Sequence, residues 1–396
     1  MRRMLTLVLC ALLVLLPLYA SGLTEDELNR QVDESFRKSY TKGGALVLLS
    51  GGQIVYERYY GYQDDAHQIP VTQSTYFRIA SVTKMVTGIG LMRLNEQGLV
   101  SLDADISDYF GFAIANTKYP DTPITLRQIM SHTSSIRGEL PGSTRTVSDT
   151  LARDARKHAY YTDAKPGTEY TYSNFGAGIT GAVIEAVTGQ SVNQFMRETV
   201  FAPLAIDASY SPGLLSSPDD VAALYNADGS LYRSARSVLA DTYEDFPNPD
   251  THYRTTIGSL WIRASDLAKL TIALCGDGTV DGVRVLSQES LAQMRANQAD
   301  LGLSVTGESK YGLFLNREES LVDGHTFYGH QGMVAGVLCN VYFEPETGFG
   351  VVMLTNGCKN IQDHYVGVLA RRLVTITYTS FAENRDFAEH LAQTGI

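Results

Sequence analysis

Phe77-Arg78-Ile79-Ala80-Ser81-Val82-Thr83-Lys84-Met85 is the stretch that decides the fold. Val82, Met85, Val86, Ile89 and Met92 recur at the spacing of one buried helix face. A helix therefore starts at Ser81 and stops at Gly98, a residue suited to the left-handed cap. Ser81 falls at the N-cap or in the first turn, where backbone N–H groups are free. Lys84, three residues on, falls on the same side of the helix, within hydrogen-bond reach of the Ser81 hydroxyl. A serine hydroxyl is a poor nucleophile until a neighbouring base takes its proton. The rival reading is a serine that only caps its helix. Ser-x-x-Lys also occurs at Ser35 to Lys38 and at Ser39 to Lys42, so the four letters alone decide nothing. What distinguishes Ser81 is its place between an extended segment and a long apolar helix.

Outward from this stretch, 396 residues with 44% hydrophobic and 19% charged side chains make an ordinary globular composition. The net charge of -11 and the lack of any basic cluster in the body of the chain exclude nucleic acid as a partner. At the N-terminus, Arg2 and Arg3 precede an apolar run over residues 4–16, then Pro17, then Ala20, Ser21 and Gly22. This is the layout of a secretory signal over residues 1–22, and it places the mature protein in the cell envelope or outside the cell. A membrane is involved only if that segment stays uncleaved. Cys10 lies in the signal. Cys275, Cys339 and Cys358 remain, an odd number with no metal-site spacing. They read as buried small residues, with any one disulfide left unassigned.

Thr24-Glu25-Asp26-Glu27 is a capping box opening a helix with Leu28, Val32 and Phe36 as its stripe. Strand-like runs at 45–49 and 53–60 flank Gly51-Gly52, a hairpin signal. The middle is helical, with helices expected at 125–131, 175–187, 191–198 and 265–274. Residues 210–253 read as a long polar loop, of a kind that often covers a site. Strands return at 311–316, 326–328, 336–343 and 350–355, and a last helix at 365–373. The expected fold is α+β: an antiparallel sheet built from both chain ends, with flanking helices and an inserted all-helical region. One domain spans 23–376, and a polar, loosely packed tail follows from 377 to 396.

Three further pieces accompany Ser81. Tyr172-Ser173-Asn174 follows the turn at Pro166-Gly167, His330-Gln331-Gly332 comes just before the strand expected at 336, and Ser131-His132-Thr133-Ser134-Ser135 follows the short helix at 125. Ser-x-x-Lys, Tyr-x-Asn and Lys/His-x-Gly, in this order and at gaps of 91 and 158 residues, resemble the serine β-lactamase and penicillin-binding superfamily. The resemblance is to the branch holding class C β-lactamases, D-Ala-D-Ala carboxypeptidases, D-aminopeptidases and related esterases. Phe201-Ala202-Pro203-Leu204, Ser265-Asp266-Leu267 and Pro345-Glu346-Thr347-Gly348 agree with it.

The resemblance implies a β-lactamase/transpeptidase-like fold and a set of roles. Ser81 attacks a carbonyl to give an acyl-enzyme, and Lys84 with Tyr172 takes its proton. The backbone N–H groups of Ser81 and Met333 form the oxyanion hole. Asn174 binds the substrate amide and orients Lys84, and His330 and Gly332 bind substrate. His132 braces the site without doing chemistry. Ser134-Ser135 replaces the family's usual Ser-Gly, with only a local turn change expected. Relatives of the penicillin-binding kind usually carry lysine at position 330; a histidine is only partly charged near neutral pH. That substitution weakens the case for a β-lactamase and leaves open whether the substrate carries a carboxylate.

Each residue also has a plainer reading: Tyr172 and Asn174 could close a turn, and His330 could end a strand. Gly176-Ala177-Gly178-Ile179-Thr180-Gly181, with Glu198 downstream, matches the dinucleotide-binding glycine pattern, but no apolar strand precedes it. Those glycines read as a helix packing closely. Neither a Gly-x-Ser-x-Gly elbow nor a His-Glu-x-x-His zinc motif is present. The expected function is a serine hydrolase acting on an amide or ester of a small molecule or peptide, including peptidoglycan-derived ones, with no cofactor and no metal. The alternatives are a true class C-like β-lactamase and a catalytically silent binder of cell-wall peptides.

Overall fold

The strand Gly43–Ser50 is buried at seven of its eight positions, because both of its faces are covered. Ala45, Val47 and Leu49 point into the larger apolar core, shared with the helical region. Leu46 and Leu48 point into a second core under the helices Glu25–Lys38 and Val368–Phe381. The computed structural model describes residues 24–142, 145–152, 159–241, 245–304, 307–359, 362–363 and 366–381. The segment read as a signal, 1–22, lies outside the described residues.

Among the described residues the main sheet has nine strands, and its neighbours pair antiparallel. Gly43–Ser50 lies between Gln53–Asp64 and Phe349–Thr355, with Gly44 opposite Thr355, so the two chain ends do close one sheet. Ser50 pairs with Gln53 across Gly51 and Gly52, whose φ values of 58° and 81° are left-handed. Only glycine takes such values at both positions of a tight hairpin at no steric cost.

The helix Val82–Glu96 is buried on all sides, at 12 of its 15 residues, where the sequence pattern gives a single face. The strand Phe327–Val334, the helix Asn174–Thr188 and the helical turn Thr255–Gly258 all pack on it. Asn174–Thr188 meets the chain at 253–256 through its glycines. A methyl at Gly178 would lie 1.9 Å from the Tyr253 carbonyl oxygen, and one at Gly181 would lie 2.7 Å from Thr256. The glycine pattern serves helix packing.

Three expectations need correction. His330-Gln331-Gly332 lies inside the strand Phe327–Val334, not ahead of one. The last helix runs to Phe381, past the boundary expected at 376; Tyr378 and Phe381 are buried, and the Tyr378 hydroxyl donates to buried Glu344 at 2.7 Å. Residues 382–396 of the expected tail lie outside the described residues. Within 210–253 the chain forms a short hairpin, Leu224–Tyr225 with Leu231–Arg233, and the helix Ala235–Leu239. Cys275, Cys339 and Cys358 are buried thiols without a disulfide, and burial pushes Cys275 and Cys339 up to about 12.

Candidate active site

Ser81 is delivered by a strained turn. Tyr76–Arg78 pairs with Trp261–Arg263, and Ala80 then takes a left-handed φ of 45° before the helix begins. For a residue with a Cβ this costs about 1–2 kcal/mol. Ser81 occupies the N-cap, but its side chain makes no capping bond. Its Oγ accepts a hydrogen bond from Lys84 Nζ at 3.0 Å instead. The hydroxyl is therefore committed to the lysine, against the reading of a mere cap.

Lys84 is fully buried. Its Nζ also donates to the Ile257 carbonyl at 2.7 Å. Removal from water, uncompensated by a carboxylate, pushes the ammonium down to about 7. Near neutral pH much of Lys84 is then an amine with a lone pair. Nζ also sits 5.2 Å from the centre of the Tyr172 ring. Ile257 holds Lys84, a role expected of Asn174. The Asn174 Oδ1 is instead buried with no hydrogen-bond partner, although the residue lines the cleft.

Tyr172 and Asn174 are set by the residue between them. Ser173 Oγ caps the helix Asn174–Thr188 by accepting from Gly176 N at 2.8 Å, and it donates to the Arg137 carbonyl. The Ser173 amide donates to His132 Nδ1 at 3.1 Å. The His132 ring lies 4.4 Å from that of Tyr172, centre to centre. Burial foremost, then the charge of Lys84, holds His132 far below its ordinary range and so neutral. This agrees with a bracing role. Ser135 takes a left-handed φ of 63° itself, and its Oγ accepts from Asn116, so the turn survives the loss of glycine.

Gly332 brings the sheet onto the nucleophile. A methyl there would lie 2.4 Å from the Ile79 carbonyl oxygen and 2.9 Å from the Ser81 nitrogen. Ser81 and Met333 both line the cleft at this junction. His330 does not. It is 3% exposed, with Nδ1 2.6 Å from the Gln331 carbonyl and Nε2 3.0 Å from the Tyr311 hydroxyl. A carbonyl only accepts, so Nδ1 carries the proton and Nε2 accepts from Tyr311. Burial, then Lys84, pushes the imidazole down to about 3. His330 is a neutral buried residue behind the site, and the expectation that it contacts substrate is corrected accordingly.

The cleft above Ser81 has a volume of about 310 Å³. Besides Ser81, Asn174 and Met333, it is lined by Leu140, Arg78 and Arg254. Sequence reading missed Ile257, Tyr311 and both arginines. Ser173-Asn-Phe-Gly176 carried a capping signal that marks Ser173; nothing local marks Ile257 or Arg254. Among the described residues no His/Cys/Asp/Glu group has the arrangement of a metal site.

A family model described as Beta-lactamase matches residues 28–375. Penicillin-binding protein 4 of Amycolatopsis lactamdurans is 30% identical over 331 residues, covering 80% of this chain and 81% of that protein. Among solved structures, the octameric penicillin-binding protein homologue from Pyrococcus abyssi superposes with a TM-score of 0.70 at 22% identity, covering 89% of this chain and 76% of that one. D-amino acid amidase from Ochrobactrum anthropi SV3, complexed with D-phenylalanine, gives 0.66 at 22% identity, covering 89% and 99%.

Proposed function

The chain belongs to the Beta-lactamase family, and from that premise we propose that it is a serine hydrolase that cleaves an amide or ester through an acyl-enzyme on Ser81. The observation that carries this reading is the Lys84–Ser81 hydrogen bond, made by a lysine whose burial favours the amine. Relatives bearing the names penicillin-binding protein and D-amino acid amidase support amide chemistry.

In the proposed reaction Ser81 Oγ bonds to the carbonyl carbon as its proton passes to Lys84, with Tyr172 beside it as the second member of the base. The carbonyl oxygen gains the negative charge, and the Ser81 and Met333 amides hold it; one such donor contributes about 3 kcal/mol. Collapse expels the amine or alcohol, which takes the proton from the Lys84–Tyr172 pair. Water then attacks the Ser81 ester and releases the acid. Asn174, which lines the cleft, binds the substrate amide. The substrate is a small molecule or peptide, with peptidoglycan-derived peptides included. The charged and apolar pattern of residues 1–22 supports export to the envelope or outside the cell.

A fluorophosphonate probe tests the assignment. Labelling of the wild type, lost in Ser81→Ala and reduced in Lys84→Ala and Tyr172→Phe, is the expected result. An unlabelled wild type would instead favour a silent peptide binder, and full labelling of Tyr172→Phe would remove Tyr172 from the base.

A further inference from the structure

His330 is buried behind the site and does not line the cleft. Two arginines line it, Arg78 and Arg254, in a chain whose net charge is -11. Arg78 is tied down, its Nε donating to the Gly258 carbonyl at 2.9 Å. Arg254 directly precedes the helical turn Thr255–Gly258, whose Ile257 carbonyl holds Lys84. Arg254 is therefore fixed by the same short wall that fixes the base.

The Arg254 side chain is held from behind. One terminal nitrogen donates to the Pro141 carbonyl, and Cζ lies 5.4 Å from the centre of the Tyr253 ring. Tyr253 is itself buried and donates through its hydroxyl to the Arg145 carbonyl. Yet among the described residues Arg254 has no acidic partner, and its buried Nε has no acceptor at all. Among the described residues the half-buried guanidinium has one hydrogen bond, to the Pro141 carbonyl, so its charge is left without an anion. A positioned planar fork, held beside an aromatic ring and lacking its anion, matches a carboxylate.

We propose that Arg254 is a specificity determinant of this site: it binds a carboxylate on the substrate, so that the enzyme prefers substrates bearing a free carboxylate over neutral ones. This rests on the acyl-enzyme reading of Ser81. Arg78 adds positive field at the same cleft, while Leu140 and Met333 offer apolar surface for the rest of the ligand.

The test compares two esters with the same leaving group, mono(4-nitrophenyl) glutarate and 4-nitrophenyl butyrate, on the wild type, Arg254→Gln and Arg254→Lys. The readout is the ratio of their kcat/KM values. The wild type is expected to favour the glutarate. Arg254→Gln is expected to lower that ratio by about 10- to 100-fold, chiefly through the KM of the glutarate. Arg254→Lys, which keeps charge but loses the fork, is expected to fall between them, and it carries the test if Arg254→Gln does not fold. A ratio unchanged in both variants, or a wild type that prefers butyrate, overturns the proposal while leaving the acyl-enzyme intact. A wild type that turns over neither ester and takes no fluorophosphonate overturns both.

Discussion

Lys84 reaches two oxygens, and the shorter bond goes to the Ile257 carbonyl, at 2.7 Å against 3.0 Å to Ser81. A backbone carbonyl positions the amine without supplying the negative charge that would keep it protonated. Its pKa thus lies near 7 and not near 10.5. The amine is the form able to take the Ser81 proton, so kcat/KM should rise with pH through an apparent pKa near 7 and level off above it. A pH–rate profile with a neutral ester checks this; activity already flat from pH 5 to 8 would remove Lys84 from the base.

The same burial makes Lys84 a stability cost. In the unfolded chain it binds its proton up to about 10.5, in the folded one only to about 7, so between these values the unfolded state holds more protons. Unfolding free energy should therefore rise with pH across that window. Lys84→Met should lose activity yet be more stable at pH 7, by about 1–4 kcal/mol, with the gain shrinking towards pH 10. Urea melts of both proteins at pH 7 and pH 9.5 measure it.

Gly332→Ala should impair the site by sterics alone. The added methyl meets the Ile79 carbonyl and the Ser81 nitrogen, both backbone, so the strand or the helix start must move. We expect a loss of about 1–3 kcal/mol in stability. A fall of about 100-fold in kcat should accompany it, since a displacement near 1 Å is enough. Steady-state kinetics beside a thermal melt separate the two effects.

Tyr311→Phe removes the donor to His330 Nε2 and leaves that acceptor buried and unpaired. The expected cost is about 1–2 kcal/mol of stability. Because His330 is neutral through the physiological range, the wild-type rate profile should show no separate inflection near 6.5. Denaturant titration and the same rate profile check both statements.

The helix at Ser81 was legible from a short-range pattern, the two-ended sheet from strand-like runs at both chain ends, and the roles of Ser81, Lys84, Tyr172 and Asn174 from the family resemblance their order carries. Periodic apolar residues mark the helix. His330 was legible as a position but not as a state. Its neutrality depends on burial by the surrounding fold and on Lys84, brought beside it by the helix Val82–Glu96. Ile257 and Arg254 act through a backbone carbonyl and a cleft wall, and neither leaves a local trace in a polar stretch. Tyr378 and Phe381 did leave one: they extend the stripe of Leu369, Leu373 and Val374 at helical spacing, past the point where the chain reads as a tail.

The most direct test of the central claim is intact-protein mass during turnover of 4-nitrophenyl butyrate, quenched in acid and followed by peptide mapping. The account predicts a transient adduct of one butyryl group, mapped to the peptide containing Ser81 and missing from Ser81→Ala. Turnover of the ester by Ser81→Ala at the wild-type rate, or an adduct mapped to another residue, would contradict it.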